Sequence, residues 1–250
     1  MEPARMSGRG QIKDLQAPET RERPSDMLMR AIVDSIVAGR YEAEQALPPE
    51  AALAEHFGVS RTIVRESMKR LEEKGLVAVQ QGRGTLVRPH SSWNVLDPIV
   101  LSAVIAHDEE LHTLDELTLV RGTLEGVMAA QAAERAGEEG RSELGAALDR
   151  MISLTGDYAQ FSEADAVFHR TVMDMSENFL ASNIAYTLYS RARSFARFEG
   201  DPPSDAIDRT VAEHRAVYEA IAAGNVADAQ RAMTAHIVDS WERRNPARKS

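Results

Sequence analysis

The segment of residues 47–88 constrains the fold of this chain more than any other part of the sequence. It contains two short stretches whose apolar residues recur with helical periodicity, separated by a turn at Gly58. Ser60 is a suitable N-cap for the second predicted helix. Gly75 ends that helix, and two short apolar runs on either side of a turn at Gly82 predict a β-hairpin. Two helices joined by a tight turn and followed by a hairpin are typical of a winged helix-turn-helix.

The outward face of the second helix and the tip of the hairpin carry the side chains that we expect to contact DNA. Guanidinium groups recognise guanine edges in the major groove, and hydroxyl and backbone N–H groups bind phosphate. The candidate DNA-binding residues are Arg61, Thr62, Arg65, Lys69, Gln81, Gly82 and Arg83, and Arg70 lies on the same helix face. The alternative is an ordinary helix surface whose basic side chains are merely solvated.

The charge of the chain is unevenly distributed. Residues 1–90 hold 14 Lys and Arg against 13 Asp and Glu, whereas residues 91–250 hold 15 against 26, within a net charge of −10. Residues 61–88 alone hold seven basic and three acidic residues. Because affinity for phosphate depends on the local patch, the acidic total is compatible with DNA binding.

Length and composition indicate a soluble globular protein, with two domains or one large one. The 250 residues are 43% apolar, which is ample for a packed core, and the absence of cysteine fits a reducing cytoplasm. The sequence has no signal-type apolar segment at its N-terminus and no apolar run of the roughly 20 residues that a membrane helix needs. We therefore expect a cytoplasmic protein associated with the nucleoid.

The sequence predicts a mainly α protein with an N-terminal winged helix-turn-helix and a C-terminal all-α antiparallel helical bundle. The expected divisions are a flexible tail over 1–24, the DNA-binding domain over 25–89, a linker over 90–96, the helical domain over 97–244 and a tail over 245–250. After a short helix that ends near His107, the predicted bundle helices span 110–137, 140–155, 160–176, 178–199, 205–223 and 225–243.

Four residues of the helical domain form a candidate metal site. Asp165 and His169 are four residues apart on one helix face, and His214 and His236 each lie on an apolar face of a different helix. A single inward histidine is more often a hydrogen-bonded core residue than a ligand. Three of them with an aspartate favour a shared cation, because burying such groups without partners is costly. The donor set suits zinc, with nickel and manganese as alternatives.

Two arginines on inward stripes, Arg121 and Arg191, are candidate effector-binding residues. Arg121 either forms a buried ion pair with Glu125, four residues on, or binds an anion, and a guanidinium near a metal with open positions favours a small carboxylate as ligand. We find no further inward acid or base of clear helical placement beside the four candidate ligands. The other histidines are expected to be structural or exposed; they are His56, His90, His107 and His112.

The motifs of the first domain resemble those of the GntR superfamily of bacterial transcription regulators. The matching residues are Leu47-Pro48-x-Glu50, Gly58-Val59-Ser60-Arg61-Thr62-x-Val64-Arg65-Glu66 and Gly82-x-Gly84-Thr85. The family commonly has an arginine after the glutamate of the first motif, where this chain has Ala51. The resemblance implies that DNA binding depends more strongly on Arg61, Arg65 and the hairpin.

The helical domain resembles the FCD effector domain of the FadR-like subfamily. With the first domain included, the resemblance to this subfamily covers the chain from about residue 25 to 241. It rests on the Asp-x3-His spacing and on histidines 45 and 22 residues further along. In that subfamily these four positions coordinate a divalent metal, and the arginine matching Arg121 faces the effector cavity in several relatives. The segment Trp93-Asn94-x-Leu96-Asp97-Pro98 further resembles regulators of sugar-acid catabolism, galactonate-type repressors among them.

We therefore expect a transcription regulator, acting as a repressor of a catabolic operon. A homodimer would bind a palindromic operator in double-stranded DNA, and a sugar acid or hydroxy acid held at the metal site would release it. The alternative is a metal-dependent enzyme that acts on a small carboxylate.

Overall fold

The computed structural model describes residues 23–195 and 205–244. The chain forms two compact units that divide between Ser92 and Trp93, within the predicted linker of residues 90–96. Of the predicted tails, residues 1–22 and 245–250 lie outside the described ranges. None of the helices in the described ranges combines the length and the hydropathy that a membrane span requires.

The first unit is a winged helix-turn-helix. Its elements are α1 (Pro24–Val37), α2 (Glu50–Phe57), α3 (Arg61–Glu73), β1 (Val77–Gln80), β2 (Gly84–Val87) and a 3-10 turn (His90–Ser92). Gly58 adopts φ +64° at the end of α2, a conformation that glycine accommodates without strain. The Ser60 side chain accepts a hydrogen bond from the Ile63 N–H and so caps α3.

The two strands of the first unit pair in antiparallel register, with Val77 opposite Val87 and Gln80 opposite Gly84. Apolar side chains form the centre of the contact between α1 and α3, where Met29, Val33 and Val64 have no exposed surface. Burial of such side chains stabilises the fold by about 1.5–3 kcal/mol each, before the loss of chain entropy. The predicted winged helix-turn-helix is confirmed.

The described part of the second unit consists of helices without any strand, as predicted. They are α4 (Pro98–His107), α5 (His112–Arg135), α6 (Glu138–Ser153), α7 (Tyr158–Met175), α8 (Phe179–Ala192), α9 (Ala206–Ala222) and α10 (Val226–Arg244). Asp97, Asp157 and Asn178 accept backbone hydrogen bonds and cap α4, α7 and α8.

The helix predicted over 178–199 was too long, because α8 ends at Ala192 and residues 193–195 form a turn. Residues 196–199 of that prediction lie outside the described ranges. The apolar stripe that extended the prediction includes Leu180, which is 68% exposed, so it does not mark a continuous buried face.

Close packing of α5 against α10 brings several site residues together. Gly122 and Gly126 of α5 face α10, and a Cβ atom at Gly126 would collide with the Thr234 hydroxyl. The Thr234 hydroxyl also donates to the Gly122 carbonyl at 3.1 Å. Because the two helices approach so closely, residues of α5 can reach side chains that project from α10 and its neighbours.

Candidate metal centre and DNA-binding surface

The four predicted ligands converge in the helical unit. Asp165 and His169 project from α7, His214 from α9 and His236 from α10, and one ligand atom from each lies within 4.8 Å of every other. The histidine side chains are almost completely buried, whereas the Asp165 side chain is 17% exposed. The tertiary structure therefore assembles the group that the sequence predicted from helical spacing, and this group could hold a metal ion.

Each of the three imidazoles is oriented by an oxygen acceptor at Nδ1. His214 donates from Nδ1 to the Thr210 carbonyl at 2.8 Å, His169 to Glu125 Oε2 at 2.6 Å and His236 to Glu213 Oε2 at 2.8 Å. A neutral imidazole that donates from Nδ1 has a lone pair at Nε2. In the neutral form each ring would thus present an acceptor atom to the centre of the cluster, as metal-binding histidines do.

One of the convergent atoms, His214 Nε2, is buried without a hydrogen-bond partner among the described residues. The Nε2 atoms of His169 and His236 are 3.3 Å apart, and His214 Nε2 lies 3.2 Å from Asp165 Oδ1 without the alignment of a hydrogen bond, so it is a buried nitrogen that lacks one. Burial and the neighbouring histidines lower the pKa of His236 to about 3, so this ring is neutral at physiological pH. Three nitrogen lone pairs and a carboxylate oxygen are the ligands that zinc and similar divalent ions prefer.

Two carboxylates that fix these imidazoles were missed in the sequence. Glu125 is buried between Arg121 and His169; burial opposes its ionisation, but those two neighbours outweigh it and lower its pKa to about 2. Burial also opposes the ionisation of Glu213, but the hydrogen bonds from His236 and Arg243 outweigh it and lower the pKa of Glu213 to about 2. The conclusion that no further inward acid accompanies the ligands was wrong.

The reason for the error differs between the two glutamates. Glu125 was recognised only as a partner for Arg121 within the same helix, although its other oxygen reaches α7. Glu213 immediately precedes His214 and so projects from α9 in another direction, where Arg243 donates to both of its oxygens at 2.6 and 2.8 Å. Helical spacing could have suggested the role of Glu125, but it contains no signal for that of Glu213.

Arg121 contacts side chains around the four ligands, and of its two predicted interpretations the structure shows the ion pair with Glu125. It is buried and donates from Nε to Glu125, so the predicted ion pair exists. Its guanidinium also stacks on the Tyr189 ring at 4.0 Å, and the Tyr189 hydroxyl donates to Asp165 Oδ2 at 3.3 Å. Burial, and then the charge of Asp165, raises the pKa of Tyr189, so this phenol remains a donor.

Arg191 occupies a different position. It is half-buried near the end of α8, whereas Arg193 places its guanidinium 5.5 Å from the Tyr189 ring and binds Ser162 and Glu163 of α7. The apolar stripe that selected Arg191 in the sequence gave no indication that Arg193 contacts Tyr189 and α7. The four histidines predicted to lie outside the cluster, His56, His90, His107 and His112, are all exposed, as expected.

The seven predicted DNA-binding residues are all exposed in the first unit. Arg61 and Thr62 begin α3, and Gln81, Gly82 and Arg83 form the turn between β1 and β2. Arg65 forms an exposed ion pair with Glu50 at 2.8 Å, which water screens and DNA phosphate can replace.

Arg70 differs from the other basic residues of α3. It is partly buried and donates to Asp26 of α1 at 2.6 Å, and so it belongs to the packing of the domain. The basic face of α3 is therefore smaller than the sequence suggested.

A winged helix-turn-helix joined to a helical unit with a candidate metal site defines a class of ligand-responsive transcription regulators. Residues 24–87 match the model of the gntR family of bacterial regulatory proteins, and residues 116–239 match that of the FCD domain. The chain belongs to the GntR family of DNA-binding transcription regulators, and to its FadR-like members with an FCD domain. These families are regulators, so the alternative of a metal-dependent enzyme is not supported.

Curated relatives agree with this assignment. The galactonate operon transcriptional repressor of Escherichia coli K12 is 33% identical over 79% of this chain and 86% of its own length. The transcriptional regulator LutR of Bacillus subtilis is 32% identical over 80% of this chain and 92% of its own. The solved structure of Lar from Listeria monocytogenes has a TM-score of 0.57 at 18% identity, covering 91% of this chain and 99% of Lar, a likeness of fold alone.

Proposed function

We propose that this protein is a metal-dependent repressor of a catabolic operon, released from DNA by a small carboxylate. A homodimer in the bacterial cytoplasm would place two α3 helices in successive major grooves of a palindromic operator. The seven exposed residues of α3 and the hairpin would contact DNA, with Arg61, Thr62 and Arg65 nearest to the base edges and Arg83 at the tip of the wing.

The observation that carries the proposal is the convergence of three imidazoles and a carboxylate, with His214 Nε2 buried and without a hydrogen-bond partner among the described residues. Asp165, His169, His214 and His236 would hold a divalent ion, with zinc favoured by the nitrogen-rich set and nickel or manganese as alternatives. When bound, the ion supplies a Lewis acid with coordination positions open to an anionic oxygen.

Arg121 would bind the same anion. Its guanidinium lies against Tyr189, which itself contacts Asp165, and planar guanidinium groups bind carboxylates through paired hydrogen bonds. Arg191 is proposed as a further effector contact from the end of α8. The relative that controls a galactonate operon supports a sugar acid or hydroxy acid as the effector.

The effector can release the operator only to the extent that it binds the DNA-free state more tightly than the DNA-bound state. Glu125 offers a connection between the anion-binding group and the metal ligands, because it bonds both Arg121 and His169. A shift of Arg121 toward an effector would therefore change the position of His169 through a single buried side chain.

The proposal is tested by a thermal-melt screen of the purified protein against sugar acids, hydroxy acids and dicarboxylates, with and without a chelator. A ligand at 100 times its Kd stabilises by about 2.7 kcal/mol, which raises the melting temperature by several degrees. We expect one acid to do so, the chelator to abolish the effect, and the same acid to release DNA. If no carboxylate shifts the melt of the metal-loaded protein, the effector class is wrong.

A further inference from the structure

Tyr189 of α8 contacts both groups that the proposed function assigns to the effector. Its hydroxyl donates to Asp165 Oδ2 at 3.3 Å, and the Arg121 guanidinium stacks on its ring at 4.0 Å. Asp165 belongs to α7 and Arg121 to α5, so this one side chain joins three helices. An acid that bridges the metal and Arg121 would therefore lie beside the phenol ring.

The Tyr189 hydroxyl is an outer partner of the carboxylate ligand. Asp165 Oδ1 lies 3.2 Å from His214 Nε2, inside the cluster, whereas Oδ2 accepts the hydrogen bond from Tyr189. Because Oδ2 is engaged there, Oδ1 is the oxygen that remains for a metal ion. A partner of this kind sets the orientation of a metal-binding side chain, just as Glu125 does for His169.

The Tyr189 ring fixes the direction from which Arg121 can bind an anion. A guanidinium that stacks on an aromatic ring has one face covered, so its N–H groups donate in the plane of the guanidinium. Glu125 accepts from Arg121 Nε, and the two terminal nitrogens form no hydrogen bond with the described residues. A carboxylate can accept two parallel hydrogen bonds from such an edge. The stacking thus determines where the acid would lie relative to the ring.

The ring also lies at the accessible edge of the cluster. The three histidine side chains are at most 4% exposed, whereas Asp165, which Tyr189 contacts, is 17% exposed, and Tyr189 itself is half-buried. Arg193, one turn after Tyr189, donates to Ser162 and Glu163 of α7, with its guanidinium 5.5 Å from the ring. Because these bonds hold the end of α8 against α7, the ring has a fixed position beside the path to the metal ligands.

We propose that Tyr189 is a positioning and specificity-determining residue of the effector site. The inference rests on the proposed function and gives this side chain two separable roles. Its hydroxyl orients Asp165 for the metal, and its ring orients Arg121 and limits the space beside the bound carboxylate. The site therefore selects acids with a slender chain next to the carboxylate and excludes those in which that carbon is fully substituted.

The test uses the full-length protein loaded with Co²⁺, whose visible absorption reports the ligands around the ion. Acetate and pivalate are the probes, since both are carboxylates and only pivalate carries three methyl groups on the adjacent carbon. We expect acetate to change the spectrum of the wild type. Acetate should bind about tenfold more tightly than pivalate, because the methyl groups of pivalate would collide with the ring.

Substitutions of Tyr189 separate the two roles. Tyr189→Phe keeps the ring, so it should preserve the preference for acetate. The loss of the outer partner of Asp165 should weaken Co²⁺ binding by about 10–100-fold and shift the cobalt absorption. Tyr189→Ala and Tyr189→Leu remove the ring, the second with less loss of packing, and both should abolish the preference for acetate over pivalate.

The matched control is Tyr218→Phe on α9, where a half-buried hydroxyl packs against Gly145 of α6 instead of the metal cluster. Its cobalt affinity, cobalt absorption and acetate preference should equal those of the wild type. An equal loss of cobalt affinity in this control would attribute the effect to the helical unit as a whole and would overturn the orienting role of the Tyr189 hydroxyl.

The outcomes distinguish this inference from the proposed function. A wild-type cobalt spectrum that acetate leaves unchanged would overturn the proposed anion site and the role of Tyr189 together. If the wild type binds acetate, undiminished cobalt affinity in Tyr189→Phe would overturn the orienting role alone. An acetate preference retained by Tyr189→Ala and Tyr189→Leu would overturn the selection by the ring.

Discussion

Replacing Glu125 by glutamine tests whether the buried carboxylate orients the metal site. In the wild type, Glu125 accepts from Arg121 through one oxygen and from His169 Nδ1 through the other at 2.6 Å. A glutamine has one acceptor oxygen and one amide donor, so it can satisfy only one of these partners. If the amide faces His169, the imidazole must move its proton to Nε2, which removes the lone pair that would bind the metal.

The substitution should lower both the affinity for the metal and the stability of the fold. Loss of an outer-sphere partner of a metal-binding histidine weakens metal binding by about 10–100-fold, which corresponds to about 1.4–2.8 kcal/mol. The buried Arg121 also loses its counter-ion, which costs about 3–5 kcal/mol of stability. Competition with a fluorescent zinc chelator measures the first quantity, and urea denaturation of the metal-free protein measures the second.

Two control variants separate the orientation of the ligand from the stability of the fold. Arg121→Met combined with Glu125→Gln removes both charges, so it should recover most of the stability but none of the metal affinity. Glu213→Gln perturbs the equivalent contact of His236 at a side chain that is 24% exposed, so it should weaken zinc binding with a smaller loss of stability. A zinc Kd for Glu125→Gln within twofold of the wild-type value would refute the orienting role.

Three further substitutions test the rest of the proposal. Arg65→Ala should abolish binding to duplexes selected from a random library, measured by fluorescence anisotropy, while the melting shift with effector stays intact; near-wild-type DNA affinity would exclude Arg65 as a contact. His214→Ala should make the melting temperature insensitive to chelator, and a chelator-dependent melt in this variant would show that the metal binds elsewhere. Gly126→Ala should destabilise the helical unit by about 1–3 kcal/mol in urea, because its methyl group meets Thr234; unchanged stability would mean that α5 and α10 separate easily.

Features encoded over a few residues were predictable from the sequence. The turn at Gly58, the cap at Ser60 and the hairpin depend on local backbone preferences, and each was confirmed. The candidate ligands were also predictable, because Asp165 and His169 share a helix face by spacing alone and His214 and His236 lie on apolar stripes. For these histidines the apolar stripe correctly indicated burial, whereas the stripe of α8 did not do so for Leu180.

The tertiary structure decided which side chains meet across helices. Glu125 reaches His169 over 44 residues and Glu213 reaches His236 over 23, and Arg70 pairs with Asp26 instead of facing DNA. These contacts depend on how the helices are rotated and how closely they approach, which the period of a single helix does not encode. The sequence thus indicated which histidines turn inward, whereas the packing of α5 against α7 and of α9 against α10 determined how His169 and His236 are oriented.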